Sequence, residues 1–160
     1  MRIILLIACL ATAIAGSAQT KVPPKVVRRL EPTLAALKKP HVDPECRGVD
    51  YTGRCADMFR AYEERLYDLF KDKTATGDES VAVLFSFYIG EHPGEELLCE
   101  AAGRGRPMIP LLKKYRTCSP DILSRYPRSM HLEQNICREN IDRAIDLIRT
   151  DKVKKQCDFD

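Results

Sequence analysis

The chain has 160 residues, of which 44% are hydrophobic and 31% charged, and its formal net charge is +3 at pH 7. This length suits one domain with a hydrophobic core. A charge so close to neutral gives no overall electrostatic reason to bind nucleic acid, and we expect no nucleic-acid partner.

The first eighteen residues have the pattern of a secretory signal peptide. Arg2 precedes thirteen largely apolar residues, 3–15, and a Gly-Ser-Ala stretch ends at Ala18. This order is typical of a cleaved leader, whereas a membrane-spanning helix needs about 20 apolar residues. We therefore expect cleavage after Ala18, or alternatively after Ala15, and a secreted, extracellular protein. Because the leader carries Arg2 and no acid, the formal charge of the remaining chain is +2.

Seven cysteines occur in the chain, and one of them, Cys9, falls in the leader. Six cysteines therefore remain in the secreted domain. An even number in such a domain predicts that all of them pair, here as three disulfides. Paired cysteines also leave no thiol to act as a nucleophile. The six predicted disulfide cysteines are Cys46, Cys55, Cys99, Cys118, Cys137 and Cys157.

The last two cysteines enclose a segment with helical character. A continuous helix over residues 137–157 would place its ends about 30 Å apart, whereas disulfide partners need Cα atoms within about 7 Å. Unless the chain reverses near Thr150, Cys137 and Cys157 do not pair. We predict that Cys137 bonds to another helix and that Cys157 bonds to a different element, such as the 46–55 region.

Residues 19–45 form a basic arm that contains prolines and precedes a helical domain at 46–160. Six Lys or Arg residues and one Glu lie between residues 19 and 42. Apolar residues recur in the arm at helical spacing. Pro32 suits the first turn of a helix that starts near Leu30 or Glu31 better than a helix interior. The arm is predicted to be partly helical, and either packs on the domain or stays mobile.

A basic amphipathic segment such as residues 21–39 can also lie on an anionic membrane surface. The alternative is that its apolar stripe packs on the domain. The candidate membrane-contact residues are Lys25, Val26, Val27, Arg28, Arg29, Leu30, Leu34 and Leu37.

The rest of the chain reads as a series of helices. In residues 55–70 the apolar positions step by three and four, as in a helix with one buried face. Residues 80–90 are apolar almost throughout, which fits a strand or a helix, but a capping signature at Thr76 and Glu79 favours a buried central helix. Further helical segments are predicted at the positions 95–103, 111–118, from Ser119 onward and from about His131 to 148. No alternating strand pattern appears. We predict a compact all-α fold of about five to seven helices, stapled by three disulfides.

Two of these helices carry an aromatic-rich set of residues. Such a set is usually a packed core, but it can also wall a pocket for a small apolar ligand. The candidate pocket residues are Met58, Phe59, Tyr62, Phe70, Leu84, Phe85, Phe87 and Tyr88.

No motif for catalysis or metal binding is found. The histidines His41, His92 and His131 stand apart from any zinc or copper ligand spacing, and residues 72–83 begin like a calcium loop but end in Val83 where a glutamate is needed. The sequence predicts no catalytic residue, no metal and no cofactor. It favours a non-enzymatic binding protein whose partner is a protein or a small hydrophobic ligand. The alternative is a membrane-active or host-defence protein that uses the arm.

Overall fold

A computed structural model describes residues 19–46, 53–71, 77–87 and 95–157. The predicted leader lies outside these ranges. The described ranges contain seven α-helices, short 3-10 turns and no strand, which confirms the all-α fold. The helices are α1 (Pro24–Val42), α2 (Arg54–Lys71), α3 (Asp78–Phe85), α4 (Glu95–Gly103), α5 (Met108–Lys114), α6 (Gln134–Thr150) and α7 (Val153–Cys157).

Helix α3 lies at the centre of the fold. Its residues 80–85 are each at most 3% exposed, and it is contacted by α1, α4 and α5. A helix that is apolar on all sides has to be enclosed by its neighbours, and α3 is enclosed in this way. The helical interpretation of this apolar run is therefore confirmed up to Phe85. The helix begins after Gly77, and Thr76 of the predicted capping signature lies outside the described residues.

Helix α6 packs on α4 and α5, and the chain then folds back. α6 begins at Gln134 rather than near His131, because residues 128–130 form a 3-10 turn and His131 is extended. The helix ends at Asp151, which adopts the left-handed conformation with φ +55°. After this turn α7 packs on α4. The chain thus reverses at the position where the continuous helix of the prediction was open to a break. A helix was also predicted to start at Ser119. The structure instead has a 3-10 turn there, over Asp121–Arg125.

Three disulfides join Cys46 to Cys55, Cys99 to Cys157, and Cys118 to Cys137. As predicted, Cys137 and Cys157 do not pair. The predicted link from Cys157 to the 46–55 region is wrong, because the turn after α6 places α7 on α4 and brings Cys157 to Cys99. Cys118, the partner of Cys137, lies in the loop after α5 rather than in a helix. Three intramolecular disulfides are typical of extracellular proteins.

Most of the arm is one continuous helix, α1, which belongs to the same core as the other helices. The predicted helix start near Leu30 or Glu31 is wrong, since α1 begins at Pro24 and continues through Pro32 and Pro40. A proline in a helix interior costs about 3 kcal/mol. Two interior prolines therefore cost about 6 kcal/mol. Burial of an aliphatic side chain contributes about 1.5–3 kcal/mol, and the four that α1 buries to 4% exposure or less contribute about 6–12 kcal/mol, which offsets that cost. The four are Val26, Leu30, Leu34 and Leu37.

The residues that precede α1 are also attached to the body of the protein. The backbone N–H of Thr20 donates to the carbonyl of Ser119 at 2.8 Å, and the N–H of Asp121 donates to the carbonyl of Thr20 at 2.9 Å. The N–H of Val22 donates to the Asp121 carboxylate at 3.0 Å. These bonds and the buried side chain of Val22 hold the amino end of α1 against the loop after α5.

Candidate functional site

The exposed side of α1 carries a cluster of cations that we call the basic face, formed by Lys25, Arg28 and Arg29. The three side chains are exposed, and their spacing of three and four residues places them next to one another on the helix. No ion pair involves any of the three within the described part of the chain. Among the described residues, the basic face is therefore a patch of positive charge without an ion-pair partner.

Two other charged groups of α1, Glu31 and Lys38, have partners on the body. The carboxylate of Glu31 lies 3.2 Å from Nη1 of Arg125, and the ammonium of Lys38 donates to the carbonyl of Arg125 at 3.1 Å. Glu31 is the one acid of α1, and its carboxylate is paired with Arg125 rather than with a cation of the basic face. These contacts help to fix the rotation of α1, so that its cations face outward.

A cleft of about 240 Å³ lies between the basic face and the amino end of α3. We call it the α1–α3 cleft. Its lining combines two cations from α1 with two acids and two small residues from the start of α3. The lining residues are Lys25, Val26, Arg29, Gly77, Asp78, Glu79 and Ser80.

Both acids of the cleft are held by cations from other elements. The carboxylate of Asp78 lies 3.2 Å from Nη1 of Arg104, whose side chain is 1% exposed. The carboxylate of Glu79 accepts from the ammonium of Lys114 at 2.6 Å and from the hydroxyl of the buried Tyr115 at 3.1 Å. Burial, together with the nearby Glu79 charge, raises the pKa of Tyr115, so this hydroxyl stays protonated and donates. The two acids are thus neutralised in place, and the cations of α1 are not needed for this.

Arg29 reaches across the cleft to the first turn of α3. Its Nη1 atom lies 2.6 Å from the position that a Cβ on Gly77 would occupy, so the absence of a side chain at residue 77 permits this approach. Gly77 is the N-cap of α3 and gives that helix no side-chain cap. The amino end of a helix carries partial positive charge. A guanidinium therefore lies against the positive end of α3, without an ion-pair partner in the described ranges.

Of the predicted apolar-pocket residues, those whose side chains the structure describes lie mostly in the core. Leu84, Phe85 and Phe87 are at most 3% exposed, and the Phe59 ring makes an edge contact with His41 at 4.9 Å. Met58 is half-buried. Neither the α1–α3 cleft nor a second cleft of about 230 Å³, between α1 and α2, is lined by residues of the predicted set. Outside the described residues fall Tyr88 and the side chains of Tyr62 and Phe70.

The predicted membrane-contact residues separate into two groups. Val26, Leu30, Leu34 and Leu37 are buried in the core and Val27 is half-buried, whereas the cations of the basic face are exposed. The apolar stripe can meet a bilayer only if α1 leaves the core. Within the part of the chain that the structure describes, no helix is both long enough and apolar enough to cross a membrane.

The described histidines contact neighbouring groups. His131 lies 3.1 Å from the Tyr126 carbonyl through Nε2, and burial lowers the pKa of both His41 and His131. The third histidine, His92, lies outside the described residues. Among those residues no group of three His, Cys, Asp or Glu side chains is placed to hold a metal ion.

Comparisons with known proteins give no relative for this chain. No family model matches it, and neither the curated proteins nor the solved structures contain a significant match. The fold, the disulfides and the charge arrangement are therefore the observations on which a function can be argued.

Proposed function

We propose that the protein is a secreted, non-enzymatic binding protein that docks an acidic protein partner on the basic face of α1. The observation that carries this proposal is the contrast between the two sides of α1. Its apolar side is buried to 4% exposure or less at four positions, while Lys25, Arg28 and Arg29 are exposed without ion pairs in the described residues. A positive patch on a rigid element favours a partner of complementary charge.

Secretion is part of the proposal and has two supports. Residues 1–18 have the signal-peptide pattern, and the three disulfides are of the kind that persists in an oxidising compartment. The disulfides also stabilise the body on which α1 is mounted. A fixed helix loses little conformational entropy when it binds, and this preorganisation favours affinity.

A protein partner is better supported than a small apolar ligand or a membrane. The described members of the aromatic-rich set are largely packed in the core, and the two described clefts lie elsewhere. The apolar residues of α1 that a membrane would need are used for packing. The exposed cations remain available without any change in the fold.

Charge reversal on α1 tests the proposal. We expect Lys25→Glu combined with Arg28→Glu to weaken the binding of poly-L-glutamate at low salt by about tenfold or more, since about 1.4 kcal/mol of lost attraction corresponds to a factor of ten. Surface attraction is screened by salt, so the difference should shrink as salt is added. The measurement is fluorescence anisotropy of labelled polymer with the full-length secreted protein.

The matched control is Lys154→Glu combined with Lys155→Glu, which makes the same change in net charge on the exposed side of α7. We expect this control to weaken binding by less than about threefold, as for distant screened charges. Equal losses in the two variants would remove the basic face as the binding surface. Tight binding of phosphatidylserine vesicles with leakage, or saturable uptake of an apolar dye, would instead favour the membrane or ligand alternative.

A further inference from the structure

We propose that Gln19 is a modification site: it becomes the first residue of the secreted protein and closes into a pyroglutamate, a five-membered lactam. The site requires removal of the leader after Ala18, so it rests on the secretion part of the proposed function. It is independent of the basic face. What carries it is a reactive side chain that lies directly ahead of an anchored backbone.

The leader cut decides which side chain lies beside the new amino end. The predicted cut after Ala18 leaves Gln19 in first place. The amide carbon of a glutamine side chain is within reach of the α-amine of the same residue, and the two close a five-membered ring. The alternative cut after Ala15 would leave Gly16, which has no side chain to react. Cyclisation therefore requires the first of the two cuts.

The chain is attached to the body from Thr20 onward. The backbone N–H of Thr20 donates to the carbonyl of Ser119 at 2.8 Å, and the N–H of Asp121 donates to the carbonyl of Thr20 at 2.9 Å. The hydroxyls of Thr20 and Thr117 lie 2.6 Å apart. Chain ends are poorly ordered unless they are tied down in this way. A leader cut before Gln19 therefore leaves one residue ahead of a fixed attachment.

The side chain of Gln19 is available to react. The residue is exposed, and neither its side chain nor its own N–H and carbonyl form a hydrogen bond among the described residues. The side-chain amide can therefore turn back to its own α-amine, and the ammonia that leaves passes directly into solvent. The attachment at Thr20 stays in place, because the ring contains only atoms of Gln19.

The step is an intramolecular amide exchange. The lone pair of the Gln19 α-nitrogen attacks the side-chain carbon Cδ, and a bond from that nitrogen to Cδ forms. The bond from Cδ to Nε2 breaks, and Nε2 leaves as ammonia with the proton that the α-nitrogen gives up. No oxidant or second substrate is consumed. The product lacks one positive charge, because an α-amine is protonated at neutral pH and a lactam nitrogen is not.

The ring also protects the attachment at Thr20. Exopeptidases that trim amino ends act on a free α-amine, and the lactam has none. Removal of Gln19 and Thr20 would delete both backbone bonds and the hydroxyl contact with Thr117. These contacts hold the amino end of α1 against the loop after α5, so trimming would loosen the mounting of α1.

The test is mass spectrometry of the full-length chain, expressed with its leader and collected from the medium of secreting cells. The intact mass is measured before any digestion, so that ring closure during preparation does not contribute. We expect a chain that begins at Gln19, has lost one ammonia, and has no α-amine that reacts with an amine label while its lysines do react. A Gln19 amino end that stays open after days at neutral pH would overturn the site, as would an amino end at Gly16.

Gln19→Asn is the matched control, because it keeps the amide but would have to close a strained four-membered ring. The variant should keep its ammonia and its α-amine, and should carry one more positive charge than the wild type in native isoelectric focusing. Treatment of both proteins with an aminopeptidase of broad specificity tests the protective role. We expect the variant to lose Thr20 and the wild type to keep it, and equal trimming of the two would contradict the protection.

Failure of this site is distinguishable from failure of the proposed function. A secreted protein that begins with an open Gln19 contradicts the ring and leaves secretion and docking in place. Retention in the cell with the leader attached contradicts secretion, and the ring with it. The poly-glutamate experiment varies Lys25 and Arg28 and measures a polymer, so its result does not depend on the amino end.

Discussion

Replacing both Cys99 and Cys157 with alanine is expected to lower the free energy of unfolding by about 4 kcal/mol. This disulfide joins residues that are 58 apart in the sequence, and a bond that closes a loop of this length restricts the unfolded chain strongly. It also ties α7 to α4, so its loss frees the end of the chain after the turn at Asp151. The measurement is guanidinium unfolding of the secreted protein without reductant, followed by circular dichroism.

The comparison variant replaces Cys46 and Cys55, which are only 9 residues apart. The same loop-closure argument gives about 2.5 kcal/mol for this bond, so the order of the two losses is the prediction. A larger loss for the Cys46–Cys55 bond than for the Cys99–Cys157 bond would show that restriction of the unfolded chain does not govern the stabilisation here.

Leu34→Ala in α1 is expected to cost about 3 kcal/mol of stability. Leu34 is 1% exposed and belongs to the main hydrophobic core, and truncation of a buried leucine costs about 2–5 kcal/mol because transfer energy is lost and a cavity remains. An arm that only rests on the surface would not show such a cost. Chemical unfolding of the wild type and the variant under identical conditions measures the difference.

Two control variants show whether the loss of stability in Leu34→Ala reflects burial in the core. Val42→Ala removes apolar atoms from the end of α1 at a position that is 41% exposed, and should change stability by less than about 0.5 kcal/mol. Leu98→Ala removes a fully buried leucine of α4 and should cost about as much as Leu34→Ala. A Leu34→Ala loss as small as that of Val42→Ala would mean that α1 is not part of the cooperative core.

The helical elements were largely readable from the sequence because their apolar residues follow the helix period. The stripe in residues 55–70 predicts α2, observed as Arg54–Lys71, and the run after Gly77 predicts the enclosed helix α3. The local pattern could not show whether, in α1, the free energy gained by burying side chains exceeds the free-energy cost of the interior prolines. Pro32 argues for a break, and only the burial of side chains such as Leu30 and Leu34 against other elements explains why the helix continues.

Disulfide pairing was predicted in part for a similar reason. The prediction that Cys137 and Cys157 do not pair is confirmed, although the continuous helix on which it rested is interrupted at Asp151. The partner of Cys157, however, depends on where α7 lies, and this follows from the left-handed turn at Asp151. Aspartate adopts the left-handed conformation only occasionally, where its short side chain can form a local hydrogen bond. The residue type at position 151 therefore does not predict this turn from the sequence.

The α1–α3 cleft illustrates what sequence patterns leave out of a site. The cations of α1 are evident in the sequence, which makes them candidates for contact with a membrane as the alternative function. The approach of Arg29 to Gly77, and the pairing of Asp78 with Arg104 and of Glu79 with Lys114, join residues that are distant along the chain. Such juxtapositions follow from tertiary packing around α3, which no motif within a single element encodes.

The central claim is that α1 is fixed to the disulfide-stapled body and presents its basic face as a rigid surface. Amide hydrogen exchange at Leu34 tests it most directly, because the amides of the most stable core elements exchange with a free energy close to that of global unfolding, whereas those of a loosely attached element exchange through local opening. We predict that the exchange free energy at Leu34 matches that at Leu98 of α4 and the free energy of global unfolding. Rapid exchange at Leu34 while Leu98 stays protected would contradict the claim, since α1 would then be a mobile arm.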